Sequence, residues 1–306
     1  MKMFMDKNNN YLVFDIGGSN IKYGLINHSG KLLFKHHFIT PKTNLNDFAN
    51  SLKNVIQRYQ NCYRGIAVSV PGTIDHQKNR IKGGGNLRFL DGQSLQKILN
   101  IDSKAYFNVE NDGKAAALAE KWSGNLKGYK NGVAIVLGTG VGGGIILNDD
   151  LYFGSHFQAG EFSFMIKKFW KNQTEKYGQI CSAVLMVEQA SQLLNLSSKR
   201  NGEKVFEYIN RKDLRVQDLF ESYCTNIAIL ISNIQVILDV DCFVIGGGIS
   251  VQPIVTKTIN YQYQLLRKSY PSLDNTISNP KIVSSKFHND ANLYGAFYSL
   301  LLKYDD

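Results

Sequence analysis

The chain has 306 residues, 43% of them hydrophobic and 20% charged, enough apolar material for real cores, which excludes disordered, collagen-like and tail-like classes. At about 150 residues per domain, this length is that of two lobes. Its 35 basic and 25 acidic residues leave a formal net charge of +10, but Lys and Arg are scattered, so the balance reads as solvated surface that favours a phosphorylated small molecule over a nucleic-acid stripe.

Along the chain, residues 11–16 are an apolar run ending next to Asp15, Gly17-Gly18-Ser19-Asn20 is a glycine turn, and 21–26 and 31–40 resume extended, β-prone patterns. Residues 44–59 carry apolar side chains at helical spacing. Residues 64–70 form a strand closed by Pro71-Gly72, residues 104–109 another that leads into Glu110-Asn111-Asp112, and 113–122, with four alanines, a helix. A similar unit then begins: strand 132–137, the turn Gly138-Thr139-Gly140, and returning strand 141–147. Residues 213–240 predict one long buried helix, 242–245 a strand ending in Gly246-Gly247-Gly248, and 253–266 and 289–302 two further helices. Hairpin strands followed by alternating helix and strand, twice over, predict two related α/β lobes with a cleft between them, divided near 123–131. The expected domains are 1–122 with 290–306, and 123–289. No apolar run reaches the ~18 residues of a membrane span, and residues 1–10 are polar, unlike a secretory leader. Cysteines at 62, 181, 224 and 242 form no Cys-x-x-Cys pair and read as reduced, in a cytoplasmic protein.

The chemistry gathers at the turns. Asp15 ends a strand just before glycines whose backbone N–H groups, with the Ser19 hydroxyl, suit an anion. The pattern is neither a P-loop nor a dinucleotide fingerprint, because a strand follows the turn. Each turn alone reads equally well as a hairpin or a strand–helix junction; three in one chain point to phosphate. Asp112 reads on its own as a helix-cap or first-turn acid, or as a general base at the head of a helix.

Four motifs, DIGGSNIK at 15–22, ENDGKAAALAE at 110–120, LGTGVGGGII at 137–146 with AGE at 159–161, and VIGGGIS at 244–250, resemble those of the ROK family of sugar kinases. The terminal ANLYGAFYSLL, 291–301, resembles that family's last helix, so the likeness spans residues 11–303. It implies an α/β fold of two ribonuclease-H-like lobes, as in actin-like ATPases, with the active site in the inter-lobe cleft. It also implies ATP on Gly17, Gly18, Ser19, Asn20, Lys22, Gly138, Thr139 and Gly140, with Gly246, Gly247 and Gly248 beside the adenosine. Asp112 would be the general base. Asn111, Asp112, Glu161, Gly84, Gly85 and Asn86 would hold the sugar, and Asp15 would hold Mg2+, directly or through water. A homodimer with no nucleic-acid or membrane partner is implied as well.

The departures from the family pattern are local. Phe164 stands where the family has a His that binds sugar and a structural zinc, and the family's Cys-rich segment is reduced to Cys181. One thiol without that histidine makes no tetrahedral site, so no structural zinc is expected. Glu188 falls too late to align with the family's second sugar-contacting glutamate. The expected activity is ATP-dependent phosphorylation of a hexose or hexose derivative, with glucose, N-acetylmannosamine and β-glucosides as acceptors. The alternatives are a sugar-sensing regulator, for which the ten or so residues before Asp15 leave no room for a DNA-binding domain, and a sugar-binding protein without turnover.

Overall fold

The computed structural model describes residues 7–304; residues 1–6, the start of the polar stretch discussed above, and 305–306 lie outside the described residues. The described residues form two compact units. The first comprises the chain to Trp122, residues from Asp290 on, and a further segment, Phe153–Ala159; the second comprises Ser123–Tyr152 and Gly160–Asn289.

In the first unit, strands β1 (Asn10–Ile16), β2 (Asn20–Asn27) and β3 (Leu32–Ile39) form an antiparallel meander, helix α1 spans Leu45–Arg58, and β4 (Gly65–Val70) lies parallel to β1. A small hairpin, β5 (Thr73–Asp75) and β6 (Arg80–Lys82), short helix α2 (Leu95–Ile98), strand β7 (Tyr106–Asn111) and helix α3 (Asp112–Ser123) follow. The main sheet has the order β3-β2-β1-β4-β7. Alternation along β1 sends Leu12, Phe14 and Ile16 to one face, where Phe48 and Leu52 of α1 cover them. Tyr11 and Val13 point to the other, where Leu293, Phe297 and Leu300 of the C-terminal helix, Ala291–Tyr304, cover them. Asn44 starts α1 by accepting the Asp47 amide at 2.9 Å.

The second unit repeats the plan. Strands β8 (Gly132–Leu137), β9 (Val141–Leu147) and β10 (Asp150–Leu151) form the meander, and β13 (Cys242–Gly246) and β14 (Lys281–Ser284) add in parallel, giving the order β10-β9-β8-β13-β14. Between them lie an exposed hairpin, β11 (Ile166–Trp170) and β12 (Gln173–Lys176), and helices α4 (Tyr177–Ile180), α5 (Ala183–Leu193), α6 (Gly202–Asn210) and α7 (Leu214–Leu238). Helices α8 (Pro253–Ser269) and α9 (Pro271–Thr276) precede β14. Helix α7, 25 residues long, is capped at its start by Asp213 and ends at Asp239 in a left-handed conformation. Among the described residues no helix is long and apolar enough to cross a membrane.

Candidate active site

In the first unit the parallel strands β1, β4 and β7 end side by side, since Asp15 pairs with Ser69 and Ser69 with Glu110 across the sheet. The carboxyl edge of such a sheet is where ligands collect, because loops and helix N-termini converge there. Three features meet at this edge: the Gly17-Gly18 turn after β1, Pro71-Gly72 after β4, and Asn111-Asp112 after β7.

Asp15 is buried; its Oδ2 takes the Lys22 ammonium at 3.1 Å and its Oδ1 takes the Asn292 amide at 3.0 Å. Lys22 is the cross-strand partner of Asp15 on β2, and Asn292 comes from the first turn of the C-terminal helix. The glycine turn is tied down by Gly17 N to Asn20 O at 3.0 Å and by the Thr40 hydroxyl to Gly17 O at 2.7 Å, while Ser19 and Asn20 are exposed. Asn86 lies against Gly18, the nearest atom 3.4 Å from where a β-carbon on Gly18 would sit, so the 84–86 loop and the glycine turn are neighbours. Gly85 and Asn86 of that loop are exposed; Gly84 is buried beneath it against Leu87 and Leu90, a structural place. The hairpin leading to the loop is held by Asp75 and Lys82 at 3.0 Å, and the hydrogen bond from that ammonium holds the Asp75 carboxyl below the usual carboxylate range.

Asn111 is the hinge between β7 and α3. Its Oδ1 accepts the Lys114 amide at 3.0 Å, an N-cap, and its Nδ2 donates to Gly72 O at 2.9 Å and to Asp112 Oδ1 at 3.0 Å. Asp112 Oδ1 also accepts the Gly113 amide at 2.8 Å. Asn111 is buried while Asp112 is half-buried, and the Asp112 carboxylate is oriented by fixed donors and stabilised by the helix N-terminus. Beneath it Glu110, 1% exposed, accepts the Asn111 amide at 2.8 Å and the Ser299 hydroxyl at 3.3 Å, and lies 3.4 Å from His76 Nε2.

In the second unit the glycine turns after β8 and β13 also sit at one sheet edge, because those strands run parallel with Gly246 paired to Val136. Gly247 has φ +92 and packs on the Leu137 backbone so closely that only glycine fits. Its carbonyl is held by Ser250, backbone at 3.1 Å and hydroxyl at 2.8 Å, and Gly248 reaches solvent. The Gly138-Thr139-Gly140 turn is closed by Gly138 N to Gly140 O at 3.0 Å and pinned by Ala183 N to Gly138 O at 2.9 Å and Val141 N to Ser163 Oγ at 2.8 Å. Thr139 at its tip is exposed. Gly160 lies on Gly143, 2.7 Å separating the Gly143 oxygen from a β-carbon built on Gly160, and this contact sets the half-buried Glu161 that follows.

Thus Asp15, Gly17, Gly18, Ser19, Asn20, Lys22, Gly85, Asn86, Asn111 and Asp112 assemble in the first unit, and Gly138, Thr139, Gly140, Glu161, Gly246, Gly247 and Gly248 belong to the second. Glu188 pairs with Arg200 at 2.6 Å. Phe164 is 75% exposed and Cys181 is fully buried, its thiol pushed up to about 12 by burial. Sequence reasoning passed over Glu110, Asn292 and His76. The first two lie inside motifs it quoted, ENDG and ANLYG, but their roles depend on partners 189 and 277 residues away.

Comparison with known proteins gives the family of the chain. The family model described as "ROK family" matches residues 11–303. A β-glucoside kinase of Listeria monocytogenes is 27% identical over 94% of this chain and 96% of its own. An N-acetyl-D-glucosamine kinase of Histophilus somni is 25% identical over 94% and 97%. A ROK family protein of Streptococcus pneumoniae, solved with sucrose, superposes with a TM-score of 0.85 at 27% identity, over 97% of this chain and 99% of that one. The chain belongs to the ROK family.

Proposed function

We propose that this member of the ROK family is an ATP-dependent sugar kinase that transfers the γ-phosphoryl group to a hydroxyl of a hexose or hexose derivative. The observation that carries the reading is Asp112, a half-buried carboxylate held by the Gly113 amide and the Asn111 side chain at the carboxyl edge of a sheet whose neighbouring turn, Gly17-Gly18, suits an anion. The relatives named as β-glucoside and N-acetylglucosamine kinases support the class of acceptor.

In this reading Asn111, Glu161, Gly85 and Asn86 orient the sugar. Asp112 Oδ accepts the proton of the attacking hydroxyl as the oxygen–phosphorus bond forms, a contribution of about 10²–10⁴-fold. The backbone N–H groups of the turns at 17–20 and 138–140 take the phosphate oxygens, and Gly246-Gly247-Gly248 lies beside the nucleoside. Such electrostatic positioning supplies most of the remaining catalysis in phosphoryl transfer. Asp15, one buried carboxylate beside the turn, fits Mg2+ that arrives with the nucleotide, because such a metal needs only one or two carboxylates beside the phosphates and waters. Bound there, it would neutralise charge on the phosphates.

A coupled ADP-release assay over a panel of glucose, N-acetylmannosamine, N-acetylglucosamine and β-glucosides tests the proposal. Sugar-dependent ADP release with at least one member supports it. Sugar binding without ADP release would replace it with a non-catalytic sugar sensor.

A further inference from the structure

One cluster in the first unit is left unused by that reading. The segment Phe153–Ala159 departs from the second unit's chain and packs with the first. It is closed on itself by Ala159 N to Phe153 O at 3.1 Å and Phe157 N to Gly154 O at 3.3 Å. Phe153 and Phe157 both turn toward His76, whose ring meets theirs edge-on at 5.0 Å and 5.6 Å between centroids. All three remain partly open to solvent. Phe157 has φ +62, a conformation that costs free energy at any residue but glycine and that persists where surroundings impose it, often at ligand sites.

The cluster is fastened to the catalytic strand. His76 Nε2 lies 3.4 Å from Glu110 Oε2, and Glu110 accepts the amide of Asn111 immediately before Asp112. Two phenyl rings offer no donor or acceptor to a sugar hydroxyl. They gain from covering an apolar ring, edge-to-face or offset-stacked, and lose by standing in water. Hydroxyls are served by Asn111 and Asp112, so the aromatic group is suited to the part of an acceptor that has none.

We propose that His76, Phe153 and Phe157 form a subsite for an apolar ring carried by the sugar, so that an aryl glycoside is a better acceptor than an alkyl glycoside of the same hexose. This rests on the sugar-kinase reading above.

The test compares kcat/KM for phenyl and methyl β-glucoside in the wild-type chain and in Phe157→Gly and Phe153→Leu. Glycine adopts the left-handed backbone of position 157 without strain, so that variant loses the ring and keeps the turn. The wild type should prefer the phenyl glycoside about 10-fold, and Phe157→Gly should bring the ratio close to one, with a smaller fall in Phe153→Leu. Calorimetric titration with the same glycosides reads the subsite whether or not phosphate is transferred. A wild-type ratio near one, or a ratio that survives in Phe157→Gly, overturns the subsite. Turnover of glucose with no tighter binding of the phenyl than of the methyl glycoside overturns it while leaving the kinase reading intact. Failure of every sugar to release ADP removes the kinase reading, and the calorimetric ratio then decides the subsite alone.

Discussion

Asp112 carries two roles that its neighbours keep compatible. As the first residue of α3 it adds a negative charge where the helix dipole favours one, but the capping is done by Asn111, which accepts the Lys114 amide. The Lys114 amide is therefore satisfied by Asn111 and not by the Asp112 carboxylate. Asp112→Asn keeps the volume and an oxygen acceptor for the Gly113 amide, so the fold and sugar affinity should survive while kcat falls by at least ~10²-fold. Steady-state kinetics with a thermal melt of the same sample checks both halves; near-normal turnover removes Asp112 from the chemistry. The sequence made Asp112 visible because a strand-to-helix junction is written locally. It left Asp15's second partner hidden, since nothing near Asp15 announces Asn292, and it left His76 hidden, since a lone histidine after a short strand carries no spacing signal.

At the level of elements, α3 is placed by its crossing with the C-terminal helix. The α-carbon of Gly295 sits so close to the Ala115 carbonyl oxygen that a β-carbon has no room, so the two backbones meet at this point. Gly295→Ala should force the helices apart, cost about 1–3 kcal/mol and lower Tm by several degrees. Because α3 begins at Asp112, activity should fall as well; a melting curve and a kcat indistinguishable from wild type would show that the crossing does not position the site. Ala115, at this crossing, is also one of the four alanines that made α3 legible as a helix. The meander strands and the three glycine turns were legible because apolar runs end at glycines, and the long helix Leu214–Leu238 because its apolar residues continue at helical spacing up to Asp239. The hairpin β11–β12 was not, since β11 is exposed on both faces and shows no apolar alternation. Short β14 and the placing of Phe153–Ala159 follow from contacts far along the chain.

Over the whole molecule, one sheet plan is used twice, and each copy ends two of its parallel strands in glycine turns. The second copy carries residues 162–182, the stretch with Phe164 and the single Cys181 from which no structural zinc was expected. Three buried side chains anchor this stretch: Phe162 against Gly143, Cys181, and Tyr177, 1% exposed with its hydroxyl 3.1 Å from Asn233 Nδ2. Lys167 adds a hydrogen bond to Asn226 at 2.7 Å. Apolar burial of this kind is worth kilocalories per side chain, enough for packing alone to hold the stretch. Two outcomes follow. A strong chelator should leave Tm unchanged, as the sequence expectation of no structural zinc requires, whereas Tyr177→Ala should cost about 3–5 kcal/mol and open residues 162–182 to proteolysis. One zinc per chain by elemental analysis, or a Tm that drops on chelation and returns with zinc, would place a metal where the aromatic anchors stand.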